Sequence, residues 1–264
     1  GMKARDLTIL ALALAVYDDG GGPALYAAGE FTTAGGVSAN RAAKRTGSGW
    51  VPLGLGLSST VKALLPANLN GSFDLYAAGN FTFANGLPAD HIAKWNGTSW
   101  SSVASGINGT VHALTTFNGA LYAGGEFTKV GNVNGFNRIA MWNGSAWSKL
   151  KTGVGGSSIV YALTSFNGGL IVGGQFAMAG GVAGTPGIAR WNGSSWSALG
   201  SGLNNTVMSL ATFDDLSGSG TELYVGGYFT APVGGAANSA VQIARWNGAW
   251  SAVEREVDRI EEPL

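Results

Sequence analysis

Short apolar runs separated by polar, glycine-rich turns recur along the chain with a period near 50 residues. One run opens as LYAAGEFT at Leu25, LYAAGNFT at Leu75, LYAGGEFT at Leu121, LIVGGQFA at Leu170 and LYVGGYFT at Leu223, at spacings of 50, 46, 49 and 53 residues. A second motif closes each copy as RTGSGW, WNGTSW, WNGSAW, WNGSSW and WNGAW, ending at Trp50, Trp100, Trp147, Trp196 and Trp250. Within the third copy the alternation predicts four strands: A, Thr110–Phe117; B, Leu121–Phe127; C, Arg138–Trp142; and D, Trp147–Leu150. A repeat of this length built from two hairpins is the signature of a β-propeller or another stacked β array.

The turns refine the picture. Asn118-Gly119 and Asn167-Gly168 lie between A and B, and Asn-Gly supplies the positive φ angles of a two-residue type I′ turn. Copies 1, 2 and 5 carry longer sequences there (DDGGGPA, PANLNGSFD, DDLSGSGTE), so this turn is expected to lengthen in them. Between C and D, four copies place four residues between the aligned positions, whereas the fifth has three, Trp246-NGA-Trp250. Side chains alternate along a strand, so a one-residue deletion preserves the pattern only if the two tryptophans face each other across the turn. Each outer hairpin is therefore expected to close on a cross-strand Trp–Trp pair. In copy 1 Arg45 replaces the first tryptophan, and a cation–π contact with Trp50 is expected instead.

Ile139 and Leu150 fall on the opposite face from Trp142 and Trp147, so both faces of the sheet are apolar, as in blades packed between two neighbours. The glycine pairs Gly124-Gly125, Gly173-Gly174 and Gly226-Gly227 would permit close approach where blades converge. The expected fold is all-β: a five-bladed β-propeller with four antiparallel strands per blade, forming one domain over residues 1–252. The blades run over about 7–57, 58–106, 107–155, 156–203 and 204–253. Each blade is complete in chain order, so the first and fifth would meet through side-chain packing alone unless the chain is part of a larger ring. Leu7–Val16 has the look of a signal-peptide core, but LALAVYDD aligns with MSLATFDD at Met208–Asp215 and reads as a strand. Residues 254–264 leave the repeat and hold five of the fifteen acidic residues; Val253, Val257, Ile260 and Leu264 mark a helical stripe that predicts a short helix over Glu254–Glu261.

Composition removes several function classes. Charged residues make up 11% of the chain and the net charge is zero, which leaves no electrostatic footprint for nucleic acid. No run is long enough to span a bilayer as a helix, so no membrane insertion is expected. With no cysteine there is neither disulfide nor thiolate chemistry.

The repeat resembles the kelch-type propeller unit, and more closely the pattern LYVGGxFTxAGG…IAxWNGxxWSALGSG of extracellular propellers similar to Rax2. Ser197–Leu203 (SALGSGL) and Phe176–Val182 (FAMAGGV) carry it, while Trp-Asn-Gly stands where kelch proper has Tyr-Asp-Pro. The resemblance implies a propeller and a place at the cell surface or outside the cell. It brings no catalytic residue with it.

Most candidate chemistry has a simpler explanation. The sequons at Asn80, Asn96, Asn108, Asn143 and Asn192 mostly coincide with the recurring Asn-Gly turns. Asp18-Asp19 and Asp214-Asp215 lack the spacing of a calcium loop, and His91 and His112 lack ligand spacing, so no metal or cofactor is expected. Two positions, however, change chemistry from copy to copy. The residue after the glycine pair is Glu30, Asn80, Glu126, Gln175 and Tyr228; the second residue of strand A is Leu12, Lys62, His112, Tyr161 and Met208. A two-residue turn pairs His112 with Gly125 and Val111 with Glu126, which makes the two positions neighbours. With Arg41, His91 and Arg138 overhanging from the B–C loops, they would surround the mouth of the central channel. The candidate ligand-binding residues are thus Glu30, Lys62, Asn80, His112, Glu126, Tyr161, Gln175 and Tyr228. The expected protein is a monomeric, non-catalytic binding or surface-display module for a protein or glycan. A carbohydrate-binding propeller is the alternative, and a glycosidase using Glu30 and Glu126 the third reading.

Overall fold

The computed structural model describes residues 10–155, 158–214, 220–233 and 242–253. Those residues form five four-stranded antiparallel sheets, each ordered A-B-C-D, and no helix. Unit 1 comprises Ala11–Asp18, Pro23–Gly29, Ala42–Thr46 and Gly49–Pro52; unit 2, Val61–Leu69, Ser72–Gly79, Ile92–Trp95 and Trp100–Ser102. Unit 3 comprises Val111–Phe117, Ala120–Gly125, Ile139–Trp142 and Trp147–Lys149; unit 4, Ile159–Phe166, Gly169–Gln175, Ile188–Trp191 and Trp196–Ser197. Unit 5 comprises Val207–Phe213, Glu222–Gly227, Ile243–Trp246 and Trp250–Ala252. In units 1 to 3 the B–C connection carries a small extra hairpin, such as Lys129–Val130 with Val133–Asn134. The helix expected over Glu254–Glu261 lies outside the described residues.

The turns follow the local sequence. Asn118-Gly119 and Asn167-Gly168 take φ of 48° and 73°, and 45° and 67°, as a type I′ turn requires. Unit 2 departs from expectation. Its strands extend to Leu69 and Ser72 and pair there, so Asn70-Gly71 makes the same two-residue turn and the extra sequence lengthens the hairpin rather than the loop. At the C–D turns the Asn96, Asn143 and Asn192 carboxamide oxygens accept N–H bonds from residues two and three ahead, which accounts for these asparagines as turn formers. Trp95–Trp100, Trp142–Trp147, Trp191–Trp196 and Trp246–Trp250 stand directly opposite one another, with ring centroids 5.5, 5.3, 5.3 and 4.9 Å apart. The shorter fifth turn keeps its pair, as the deletion argument requires. Arg45 also faces Trp50 in register, but its guanidinium donates to the Thr46 carbonyl at 2.8 Å instead of stacking.

The core lies between the units. Four apolar clusters each join one unit to the next, and a small fifth one (Ala27, Phe31, Ala34, Ala39 and Ala43, with Trp50) belongs to unit 1 alone. Val160 and Val207 press against Gly124 and Gly173 of the preceding units, where an added Cβ would overlap the valine side chain. The D-strand indoles clasp the junctions: Trp100 donates to the Leu53 carbonyl, Trp196 to Leu150 and Trp250 to Leu199, at 2.9 to 3.1 Å. A further bridge runs from each D–A loop to the next B–C loop, at Leu57–Ala84, Ile107–Val130, Val154–Ala179 and Leu203–Pro232. Among the described residues, units 1 and 5 form no comparable junction: Leu14 and Phe213 are 62% and 59% exposed.

Candidate functional site

Every A strand contains a β-bulge at one repeated position. Register slips between Ala11 and Ala13, Val61 and Ala63, Val111 and Ala113, Val160 and Ala162, and Val207 and Ser209. The extra residues are Leu12, Lys62, His112, Tyr161 and Met208, the variable set of the A strands. The two-residue turn at Asn118-Gly119 holds, but the bulge shifts the pairing beyond it. Val111, not His112, faces Gly125, which corrects the register expected from the sequence. The glycine before each variable B-strand residue explains the bulge. A Cβ at Gly29, Gly79, Gly125, Gly174 or Gly227 would overlap the carbonyl of Leu10, Thr60, Thr110, Ile159 or Thr206 respectively. That carbonyl then accepts the N–H of the following B-strand residue, as Glu126 donates to Thr110 and Asn80 to Thr60, both at 2.9 Å. A bulge leaves its extra residue outside the ladder and turns its side chain away from the blade faces.

The candidate residues meet around unit 3. His112 Nε2 lies 2.7 Å from Glu126 Oε1, and the His112 ring meets Tyr161 of unit 4 edge to face, with centroids 5.1 Å apart. The His112 side chain is 13% exposed and that of Glu126 45%, so the acid fronts the solvent with the imidazole behind it. Burial holds the His112 pKa below its ordinary 6.5. The hydrogen bond to Glu126 opposes that shift, the Lys62 charge adds to it, and the Glu126 charge again opposes it. Neutral imidazole therefore donates to a carboxylate at pH 7. Burial raises the Tyr161 phenol, with smaller contributions from Glu126 and from Tyr228 of unit 5. His112, Glu126 and Tyr161 thus form one contacting group drawn from units 3 and 4, with the Lys62 charge and the Tyr228 phenol near enough to perturb its members. Glu30 and Asn80 are exposed on units 1 and 2, and no described side-chain bond links them to it.

Gln175 instead lines a cleft of about 330 Å³ between units 4 and 5, with Ser158, Phe176, Pro186, Asn204 and Asn205. An equivalent cleft of about 420 Å³ between units 1 and 2 is lined by Thr32, Asn40, Arg41, Ser58 and Phe83, whose ring is 47% exposed.

Other expected participants prove to be structural. Arg41, His91 and Arg138 occupy left-handed positions with φ of 67°, 62° and 73° and turn to backbone carbonyls: Arg41 to Phe31, His91 to Ile107, Arg138 to Phe127 and Ser158. These bonds fasten the B–C loops, and Arg41 also borders the cleft between units 1 and 2. Asn108 caps the next B–C loop, accepting from Thr128 and Lys129 N–H. The Asp18 carboxylate accepts from Gly20 and Gly22 N–H, and Asp19 binds Tyr26 and Lys44. The sequence did not reveal three related anchors: Asp74 and Glu222, each 2% exposed, are paired with Lys94 and Arg245, as Asp19 is with Lys44.

Comparison with known proteins places this geometry. No curated protein matches the chain. Among solved structures it is similar to the extracellular domain of a hybrid two component system from B. thetaiotaomicron, at 8% identity and TM-score 0.52; the match covers 87% of this chain and 28% of that one. It is also similar to YCF48 bound to D1 peptide, at 14% identity and TM-score 0.50, covering 93% of this chain and 67% of that one. These likenesses show the fold: an all-β propeller. A family model described as the Rax2 C-terminal beta propeller domain matches residues 50–219, nearly two-thirds of the sequence, and the chain belongs to that family.

Proposed function

We propose that the chain is a non-catalytic recognition module at the cell surface or outside the cell, binding a protein or glycan through the mouth formed by its bulged residues. The observation that carries this reading is the His112–Glu126–Tyr161 contact, in which polar side chains that belong to none of the apolar junction clusters are gathered on adjacent units. A solvent-facing carboxylate backed by a neutral imidazole accepts hydrogen bonds from hydroxyl, amide or ammonium groups. Tyr161 and Tyr228 add aromatic faces, and Lys62 adds a cation. Membership in the Rax2 propeller family supports this position in the cell.

Carbohydrate binding is the second reading. It is favoured by the paired blade-to-blade clefts, where Phe83 and Phe176 lie beside amide and hydroxyl groups. A glycosidase has less support, because Glu126 is committed to His112 and no described contact joins it to Glu30.

The test is a glycan array and a surface-protein binding screen, each run with the native chain, Glu126→Ala and His112→Ala. A ligand at the mouth should lose ~1–3 kcal/mol of affinity in the Glu126 variant. A ligand retained by both variants, but lost on Phe83→Ala, would move recognition to the clefts.

A further inference from the structure

The four junctions between units are built from the same two faces, so each position has a known partner. On the face turned to the following unit, Tyr17, Ala67, Phe117 and Phe166 are 2 to 6% exposed, and Ala42, Ile92, Ile139 and Ile188 are 0% exposed. Their equivalents in unit 5, Phe213 and Ile243, are 59% and 44% exposed. On the face turned to the preceding unit, Leu64, Leu114, Leu163 and Leu210 all pack into junction clusters, and Leu75, Leu121, Leu170 and Leu223 are 0% exposed. In unit 1 the same face presents Leu14 at 62% exposure, Val16 at 66% and a half-buried Leu25. The chain therefore carries both halves of one junction, unmatched, at opposite ends of the arc.

Large aromatic and aliphatic residues at neighbouring positions of a sheet are not left in water without reason. The two open faces also differ: unit 5 offers aromatic and isoleucine side chains, and unit 1 offers leucine and valine. Each is complementary to the other type and not to itself, which is the property of a head-to-tail repeat. We infer that the open faces are docking surfaces for further blades of this same repeat, which complete the ring between unit 5 and unit 1. The junction contacts specify what such blades must carry. A blade following unit 5 would seat a valine against Gly226, as Val160 sits against Gly124, and would direct a D-strand tryptophan to the Val253 carbonyl. A blade preceding unit 1 would offer a carbonyl to the Trp50 indole.

The absence of native cysteine makes the test direct. Leu14→Cys and Phe213→Cys each replace an exposed side chain, so neither should disturb the fold, and near-ultraviolet circular dichroism checks this. The thiols are labelled with a maleimide in the native-length chain and in chains lengthened by one, two or three copies of residues 104–150. Each copy is inserted after Val253, at which point the repeat is in phase. Both thiols should react freely at native length in a particle of monomer mass. At one particular number of added units both should become at least about tenfold slower together, still at monomer mass. Three results would each overturn the inference. The thiols could already be protected in a native-length monomer, which means units 1 and 5 close on each other. They could be protected with a doubled mass, which makes a second copy the occupant. Or they could stay reactive at every length.

Discussion

At Gly125 an added methyl group would overlap the Thr110 carbonyl, whereas the side chain of the very next residue, Glu126, is half exposed and bonds to His112. Adjacent residues thus serve scaffold and site separately. Gly125→Ala must open the bulge and should cost about 2–3 kcal/mol, the scale of an overpacked site. Glu126→Ala removes a half-exposed contact and should cost only ~0.5 kcal/mol, as surface changes do. Chemical denaturation of the two variants measures both. Titration adds a signature. The His112 pKa is lowered in the folded chain, so the unfolded chain binds the proton more readily. Stability from this group is complete above the ordinary value of 6.5 and declines as pH falls below it toward the lowered folded value. Asp19 is lowered as well; burial raises it, but the bonds from Lys44, Tyr26 and Gly21 prevail. Its contribution is lost as pH falls through and below the carboxylate range. Urea midpoints should therefore fall in two stages between pH 7 and pH 3, and His112→Gln should remove the first.

The strands and turns were largely legible in the sequence, because period-2 apolarity, Asn-Gly turns and the one-residue deletion before Trp250 each act within a few residues. The bulge was not. Its cause is the close approach of Thr110 O to Gly125 across the sheet, a contact between residues fifteen apart that leaves only a recurring glycine as its mark. Asp74 was also missed, because a carboxylate before an apolar strand reads as a turn residue until the C strand brings Lys94 to within 2.7 Å. The repeat itself shows how this pair is balanced. Where Asp74 and Lys94 stand in unit 2, unit 3 has Ala120 and Met141, an apolar exchange of both partners. Lys94→Met alone leaves the buried carboxylate with the Ser72 hydroxyl but without its cation and should cost about 1–3 kcal/mol. Adding Asp74→Ala recreates the unit 3 arrangement and should recover most of that loss, a coupling readable by a double-mutant cycle. Additive losses would show that the pair contributes nothing as a pair.

Across the molecule, units 2, 3 and 4 are clasped on both faces, while units 1 and 5 each have one face open. Opening should therefore begin at the ends. Native-state hydrogen exchange should find the strongest protection in Val111–Phe117 and Ile159–Phe166, and weaker protection in Ala11–Asp18 and Val207–Phe213. The inner bulges of every unit stay outside the apolar clusters that hold the units together. The most direct measurement is thermal unfolding and ligand binding of one chain in which Leu12, Lys62, His112, Tyr161 and Met208 are all alanine. If these five residues serve recognition, the loss should total only about 2–3 kcal/mol, with one cooperative transition retained and binding to the screened ligand abolished. A chain that loses cooperative unfolding, or one that folds and still binds its ligand with native affinity, would contradict the account.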